Sequence, residues 1–343
     1  MGSRPMIAHT VRIVSAMVAL SVLDLAVVRE GGTSSEALAD TTRLAQAAEQ
    51  LGYVRFWLAE HHNMPTVAST SPAVLIAHVA GATERIRVGS GGVMLTNHAP
   101  LAIAEQFAML EALHPGRIDL GIGRAPGTDP MTASAFGRHP HESVQHFPRD
   151  VIDVMGMLGD ERGEGGMWTR FAATPHPTST PLVALLGSSG YSAQLAGMLG
   201  IPFAFAHHFD TGGTEVATAL YFEHFTPSAA LPEPYLIIGA GALAAETDEQ
   251  AEYLALPSRI LRYGIRTNHR TPLVHPDDAP SHPDAEAARR MPTEQLTGST
   301  ERVVEGLHDL VHRTKANELM ITGATYDVAD RITSLELIAN AWH

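Results

Sequence analysis

Eight times along its 343 residues the chain sets a short apolar run before a segment of helical periodicity, and this alternation most restricts the folds open to it. The first run lies within "IVSAMVALSVLDLAVV". The others are "VRFWLA", "RIRVGSGGVML", "RIDLGIG", "PLVALLG", "IPFAFA", "PYLIIGAGALAA" and "ELMITG". Between the first two, "SSEALADTTRLAQAAEQLGY" starts at Ser34 or Ser35, carries Leu44, Ala47, Ala48 and Leu51 on one stripe, and closes at Gly52. "SPAVLIAHVAGATE" places Pro72 at an early helical position, where its missing N–H costs nothing. "PLAIAEQFAMLEALHPG" is the clearest helix, with Ile103, Phe107, Leu110 and Leu113 or His114 along one face. Later helices are "SAQLAGMLG", a segment near 212–225, one from about Asp248, "STERVVEGLHDLVHRT", and a C-terminal one carrying Ile332, Leu335 and Ile338.

Strand and helix in turn, with short connections, imply parallel strands joined by crossovers. Eight such units favour a closed (β/α)8 TIM barrel over an open sheet. Two looser stretches, rich in Gly, Pro and His at 125–181 and in Pro and His at 268–292, read as insertions after the fourth and seventh strands. No repeat or linker divides the chain, so residues 17–343 are expected to be one domain behind a leader at 1–16.

That leader, with Arg4 and Arg12 ahead of an apolar stretch at 13–28, superficially resembles a signal peptide. Asp24 interrupts the stretch, which is also too short to span a bilayer. A first buried strand is the better reading. Lys plus Arg is 23 against 37 for Asp plus Glu, a net charge of −14. Nucleic acid and anionic membranes need a cationic face, so neither is an expected partner. The absence of cysteine excludes disulfides, thiolate catalysis and cysteine-ligated metals, and suits a reducing cytoplasm.

In a barrel, chemistry sits at the strands' C-terminal ends. Four of these ends stand out. Glu60-His61-His62 follows the second strand, and histidine titrates near neutral pH. With 19 histidines in the chain, a hydrogen-bonded structural role is the ordinary fate of any one of them, and position at a strand end is what singles out this pair. Neighbouring residues there point opposite ways, so His61 and His62 cannot easily share an ion; no His-x-His or His-Glu-x-x-His pattern occurs, and no metal is expected. Gly89 to Gly92 interrupt the third strand, marking either close approach of a flat ligand or tight packing. Arg124 follows the fourth strand, with a planar fork suited to phosphate or carboxylate, or to a surface ion pair. The fifth strand runs into Gly187-Ser188-Ser189-Gly190 and a helix from about Tyr191 or Ser192: an anion site or an ordinary serine cap. Arg124 and this loop leave neighbouring strands and could meet on one phosphate. No dinucleotide Gly-x-Gly-x-x-Gly follows the first strand, and "GAGALAA" lacks the third glycine.

From about Leu20 to the C-terminus the chain resembles the bacterial luciferase-like flavin-dependent monooxygenases, the luciferase alpha-subunit-like group. The likeness is densest in "RFWLAEHHN", "RIRVGSGGVMLTNHAPLAIAEQFAMLEALHPGRIDLGIGRAPGTDP" and "LLGSSGYSAQLAGMLGIPFAFAHHF". It implies a TIM barrel with insertions. It also implies an FMN-dependent enzyme, or one using a deazaflavin, that takes reduced flavin from a separate reductase and oxidises a small organic substrate with O2 through a flavin hydroperoxide. By the same resemblance His61 matches the active-site histidine, and Gly91-Gly92 a non-proline cis peptide beneath the flavin ring. Arg124 matches the arginine on the flavin phosphate, and Gly187, Ser188, Ser189, Gly190, Tyr191 and Ser192 the phosphate loop. His62, His207 and His208 are placed on the substrate side, and a homodimer through barrel helices is implied. The chain departs from the alpha subunit in having no reactive thiol, in carrying Ser188 where that loop starts with an acid, and in showing no recognisable lid within 262–298. Light emission does not follow. Two readings compete: a non-catalytic flavin-binding protein of the same fold, and a phosphosugar aldolase or isomerase. The single lysine, Lys315, argues against Schiff-base chemistry.

Overall fold

A computed structural model describes residues 18–136, 140–160, 165–209, 212–269 and 272–342; the expected leader lies outside them. In chain order the strands are β1 (Ala19–Asp24), β2 (Arg55–Leu58), β3 (Arg87–Ser90), the two-residue β4 (Val93–Met94), β5 (Ile118–Gly123), β6 (Leu182–Gly187), β7 (Phe203–Phe205), β8 (Leu236–Ala245), β9 (Leu296–Ser299) and β10 (Glu318–Thr322). Eight of them pair in parallel along β10-β1-β2-β3-β5-β6-β7-β8, and β8 pairs back onto β10, with Gly239 opposite Met320. The sheet is therefore a closed TIM barrel. β4 and β9 are short additions on β5 and β8.

The helices are α1 (Ser34–Gln50), α2 (Pro72–Gly81), α3 (Pro100–Leu113), α4 (Pro130–Ala135), α5 (Pro140–Met157), α6 (Gly190–Leu199), α7 (Thr214–His224), α8 (Asp248–Arg266), α9 (Ala285–Arg290), α10 (Thr300–Thr314) and α11 (Val328–Ala341). None among the described residues is long and apolar enough to cross a membrane. α1 is capped one residue earlier than its serines suggest. Thr33 accepts from the Glu36 amide while the Glu36 carboxylate accepts from the Thr33 amide, a reciprocal capping box. The stretch at 125–181, read as loose, contains the 18-residue α5. Its interior Pro148 and flanking histidines obscure a real stripe, Phe147, Val151, Val154 and Met155, all buried.

Alternation along the strands sorts side chains onto two faces. Val22, Phe56, Leu58, Leu185, Ile238, Leu319 and Ile321 face the helices, in the main core. Leu23, Trp57, Ala184, Ala204, Ile237 and Met320 fill the barrel. One step toward the strands' N-terminal ends, the inward positions turn polar. Arg55 bonds Glu318 through Nε at 2.9 Å and Asp119 through Nη1 at 2.9 Å. Asp119 also accepts from Trp57 Nε1 at 3.0 Å and Arg87 Nη2 at 2.6 Å. Tyr235 and Ser21 donate to Glu318. Burial alone would weaken the Arg55 charge, but Glu318 and Asp119 hold its pKa above the ordinary arginine value. Two cations and two anions thus close the barrel's base. At the other end the inward positions are Gly91, Gly121, Gly123, Gly239 and Gly241, each so close to neighbouring atoms that a Cβ there would collide or press against them.

Candidate active site

His61 continues the inward register of Arg55, Trp57 and Ala59, so its imidazole faces the barrel axis while Glu60 and His62 turn the other way. Its amide donates to the Ser69 carbonyl at 3.1 Å, fixing the strand end. The ring's Nδ1 is buried and has no hydrogen-bond partner among the described residues. Burial lowers the His61 pKa and His62 lowers it further, against an opposing pull from Glu60. The imidazole is therefore neutral at pH 7.

Opposite stands His208, after β7. Its Nδ1 lies 3.1 Å from the Gly239 carbonyl. Burial pushes its pKa down to about 4, with Arg262, His207 and His61 adding to the shift and the Gly239 carbonyl opposing it. Nδ1 therefore carries the proton that it gives to that carbonyl, and Nε2 is left as an acceptor. His207 is engaged elsewhere, with Nδ1 2.8 Å from Thr214 Oγ1. His62 also turns away from the axis, toward Glu60.

The floor is the Gly91-Gly92 pair, whose peptide bond is cis. A Cβ on Gly91 would lie 2.5 Å from Leu23 Cδ1, and one on Gly92 2.7 Å from the Gly121 carbonyl oxygen. No side chain can be added there without collision. Asn97 and Thr96, just beyond, bond the carbonyls of Pro126 and Arg124 and so tie this segment to the loop after β5.

Gly123 pairs with Leu186, which sets Arg124 beside the end of β6. The Arg124 guanidinium lies 4.2 Å above the Tyr191 ring, a cation–π contact, and makes no ion pair among the described residues. Ser189 is the N-cap of α6, yet its hydroxyl makes no capping bond. The first-turn amides therefore remain available to a ligand. Ser192 is buried beneath them, and a Cβ on Gly187 would strike its side chain at 2.6 Å. The arginine and the serine loop, separated by 63 residues or more in sequence, do converge.

Sequence reasoning missed the surroundings of Glu60. Its fully buried carboxylate accepts through Oε1 from His62 Nε2 and His98 Nε2, each at 2.7 Å, and through Oε2 from the Met94 amide at 3.0 Å. Burial would raise its pKa, but these bonds and the nearby His98 hold it down at about 2. His98 lies 38 residues away, with no local signal. The three residues are of metal-ligating type, and their ligand atoms lie within 4.8 Å of one another. Their 2.7 Å spacings suit hydrogen bonds better, since N and O ligands at about 2.0–2.2 Å from an ion stand roughly 3 Å or more apart.

This geometry fits a flat ring carrying an anionic tail. The uncapped helix start and unpaired Arg124 suit a phosphate, the side-chain-free floor admits a planar group, and the orphaned His61 Nδ1 offers it a polar neighbour. A luciferase-like monooxygenase of Escherichia coli K12 is 40% identical over 332 residues, covering 93% of this chain and 96% of its own. The N-acetyl-S-alkylcysteine monooxygenase of Bacillus subtilis is 32% identical over 338 residues, covering 95% and 98%. Among solved structures, apo-MsnO8 superposes with a TM-score of 0.86 at 34% identity, covering 95% and 98%. The fold alone is shared with the FMN-bound oxygenating constituent of 3,6-diketocamphane monooxygenase from the Pseudomonas putida CAM plasmid, at TM-score 0.69, 20% identity and 94% and 97% coverage. It is also shared with an F420-dependent secondary alcohol dehydrogenase, at TM-score 0.65, 14% identity and 96% and 100% coverage. The luciferase-like monooxygenase family model matches residues 18–336, and the chain belongs to that family.

Proposed function

We propose that the chain is an FMN-dependent monooxygenase that oxidises a small organic substrate with O2. The observation that carries this is the meeting of Arg124 and the uncapped start of α6 on one side of the barrel mouth, with the unpartnered His61 Nδ1 on another. Arg124 and the loop Gly187–Ser192 would hold the phosphate, through charge, backbone amides and hydroxyls. Gly91 and Gly92 would leave room for the ring. His61, neutral and held by its strand, would accept or return a proton beside the reacting edge. The chemistry a reduced flavin would supply there is delivery of two electrons to dioxygen, so that one oxygen atom would enter the organic acceptor and the other leave as water with two protons. Reduced flavin would come from a separate reductase, and the protein would work as a cytoplasmic homodimer.

Relatives of this fold with FMN and with F420 make a deazaflavin the second reading, because both coenzymes present a phosphorylated tail and a tricyclic ring. The deciding experiment is titration of purified apoprotein with FMN, reduced FMN and deazaflavin. Oxygen consumption is then measured with aldehydes, aromatics and N-acetyl-S-alkylcysteines. FMN should bind, and R124A should weaken binding by about 10- to 150-fold, the worth of one lost charge-assisted bond. H61A should leave FMN binding nearly intact and lower turnover by roughly a hundredfold or more. Absence of FMN binding, or unchanged turnover in H61A, would overturn the proposal.

A further inference from the structure

We infer that Glu60 is a positioning residue that fixes His61 and the Gly91-Gly92 floor relative to one another, through a carboxylate shared by three donors from two segments. This deepens the reading above and rests on it for the roles of His61 and the floor.

Glu60 precedes His61, and its side chain points out of the barrel while His61 points in. Oε1 receives His62, in the same loop, and His98, beyond β4; Oε2 receives the amide of Met94, two residues past Gly92. One anion thus joins the loop after β2 to the segment that follows β3. The same two segments are knitted to a third. His62 donates its amide to the Gly127 carbonyl at 3.4 Å, and Thr128 Oγ1 donates to the His62 carbonyl at 3.0 Å. Asn97 Nδ2 donates to the Pro126 carbonyl at 2.9 Å. Three loops bearing His61, the diglycine and Arg124 therefore meet around one buried carboxylate. Phe136 packs edge-on against His62 with ring centroids 4.6 Å apart, covering the cluster.

These donors cannot be rearranged cheaply. A buried carboxylate left with too few hydrogen bonds is costly, so all three must stay in place together. Glutamine at this position keeps the length and one oxygen acceptor but loses the charge and gives the second site an N–H. It can then no longer accept from both imidazoles and the Met94 amide at once.

The test compares wild type with E60Q, E60D and H98Q. Peptide-level amide hydrogen exchange of the apoprotein is one readout, and it needs no cofactor. Visible circular dichroism of bound FMN, FMN affinity by fluorescence quenching and oxygen uptake per bound flavin are the others. E60Q should speed exchange selectively in 59–69, 91–98 and 124–128. It should change the visible dichroism of the flavin and lower oxygen uptake per flavin by about 10- to 100-fold, the range found when an outer hydrogen-bond partner of a metal-ligating histidine is lost. FMN affinity should fall much less, because the phosphate grip lies elsewhere. E60D, which keeps the charge, should recover part of the uptake, and H98Q, which removes one arm, should show a smaller form of the same exchange pattern. Should E60Q fail to fold, E60D and H98Q carry the comparison. The inference fails if exchange in the three segments is unchanged, or if E60Q lowers only the melting temperature while dichroism and uptake per flavin stay at wild-type values. A wild type that binds no FMN would defeat the proposed function, while the exchange pattern still decides the role of Glu60.

Discussion

Replacing Asp119 by alanine is expected to destabilise the fold by about 3 kcal/mol while sparing the barrel mouth. The Asp119 carboxylate is fully buried and accepts four bonds, from Arg55 Nη1 at 2.9 Å, Trp57 Nε1 at 3.0 Å, Arg87 Nε at 2.8 Å and Arg87 Nη2 at 2.6 Å. Truncation leaves Arg87 without its carboxylate partner and Arg55 with Glu318 alone. Breaking a buried ion pair by removing one partner costs about 3–5 kcal/mol. Arg87, with its side chain 29% exposed, can turn toward water, whereas Arg55 at 9% cannot. The lower end of that range therefore applies. With unfolding entropy near 2.1 cal/mol/K per residue, 343 residues give roughly 0.7 kcal/mol/K, so the melting temperature should fall by about 4 °C.

Urea titration followed by tryptophan fluorescence, checked by calorimetry, measures the loss. D119N, which keeps an acceptor oxygen and the volume, should lose less than D119A. FMN affinity should stay within about twofold of wild type, since the layer of Leu23, Trp57 and Ile237 separates Asp119 from the mouth. A D119A loss below about 1 kcal/mol would refute the reasoning, because it would mean that the base charges are already satisfied without Asp119.

At the floor, G92A places its methyl 2.7 Å from the Gly121 oxygen and 3.2 Å from the Gly123 nitrogen. Both atoms are barrel backbone and cannot yield, so a loss of about 1–3 kcal/mol is expected by urea titration, with FMN binding weakened more than in D119A. His208 supplies a pH signature. Its folded pKa of about 4 lies below the ordinary 6.5, so the unfolded chain binds the extra proton between those values. Its stabilising share is present above pH 6.5 and is lost as pH falls toward 4, by up to roughly 3 kcal/mol. H208Q should flatten the stability profile in that window, and an unchanged slope would show that the group is not buried neutral. Glu60 acts lower down, with its share present above about 4.5 and lost as pH falls toward 2.

The barrel was legible because its cause is local. Parallel strands buried on both faces read as unbroken apolar runs, and each helix shows its own stripe. The candidate site was legible only where its signal was also local, as in a histidine at a strand end, glycines inside a strand, or a serine loop before a helix. What could not be read joins distant residues. Glu60 meets His98 across 38 positions and Arg55 meets Glu318 across 263, and neither pairing leaves a trace in spacing or composition. α5 was hidden for a different reason, since Pro148 and its polar neighbours look like loop although the apolar stripe of the helix continues past them.

The period of two along a strand links these observations into one arrangement. Inward positions carry charge at the base (Arg55, Asp119, Glu318), apolar bulk in the middle (Leu23, Trp57, Ile237, Met320) and almost no side chain at the mouth (Gly91, Gly121, Gly239). Charge closes one end without a ligand, because every group there finds its opposite within the protein. The mouth is the reverse case: its glycines are closely packed against their neighbours, and among the described residues Arg124 makes no ion pair and the His61 Nδ1 no hydrogen bond. The same parity sorts the triplet after β2. Counting inward from Arg55 through Trp57 and Ala59 arrives at His61, while Glu60 and His62 fall on the opposite side and satisfy each other at 2.7 Å. One strand end thus supplies an inward imidazole with an unbonded Nδ1 and an outward carboxylate bonded to its neighbour, from three consecutive residues.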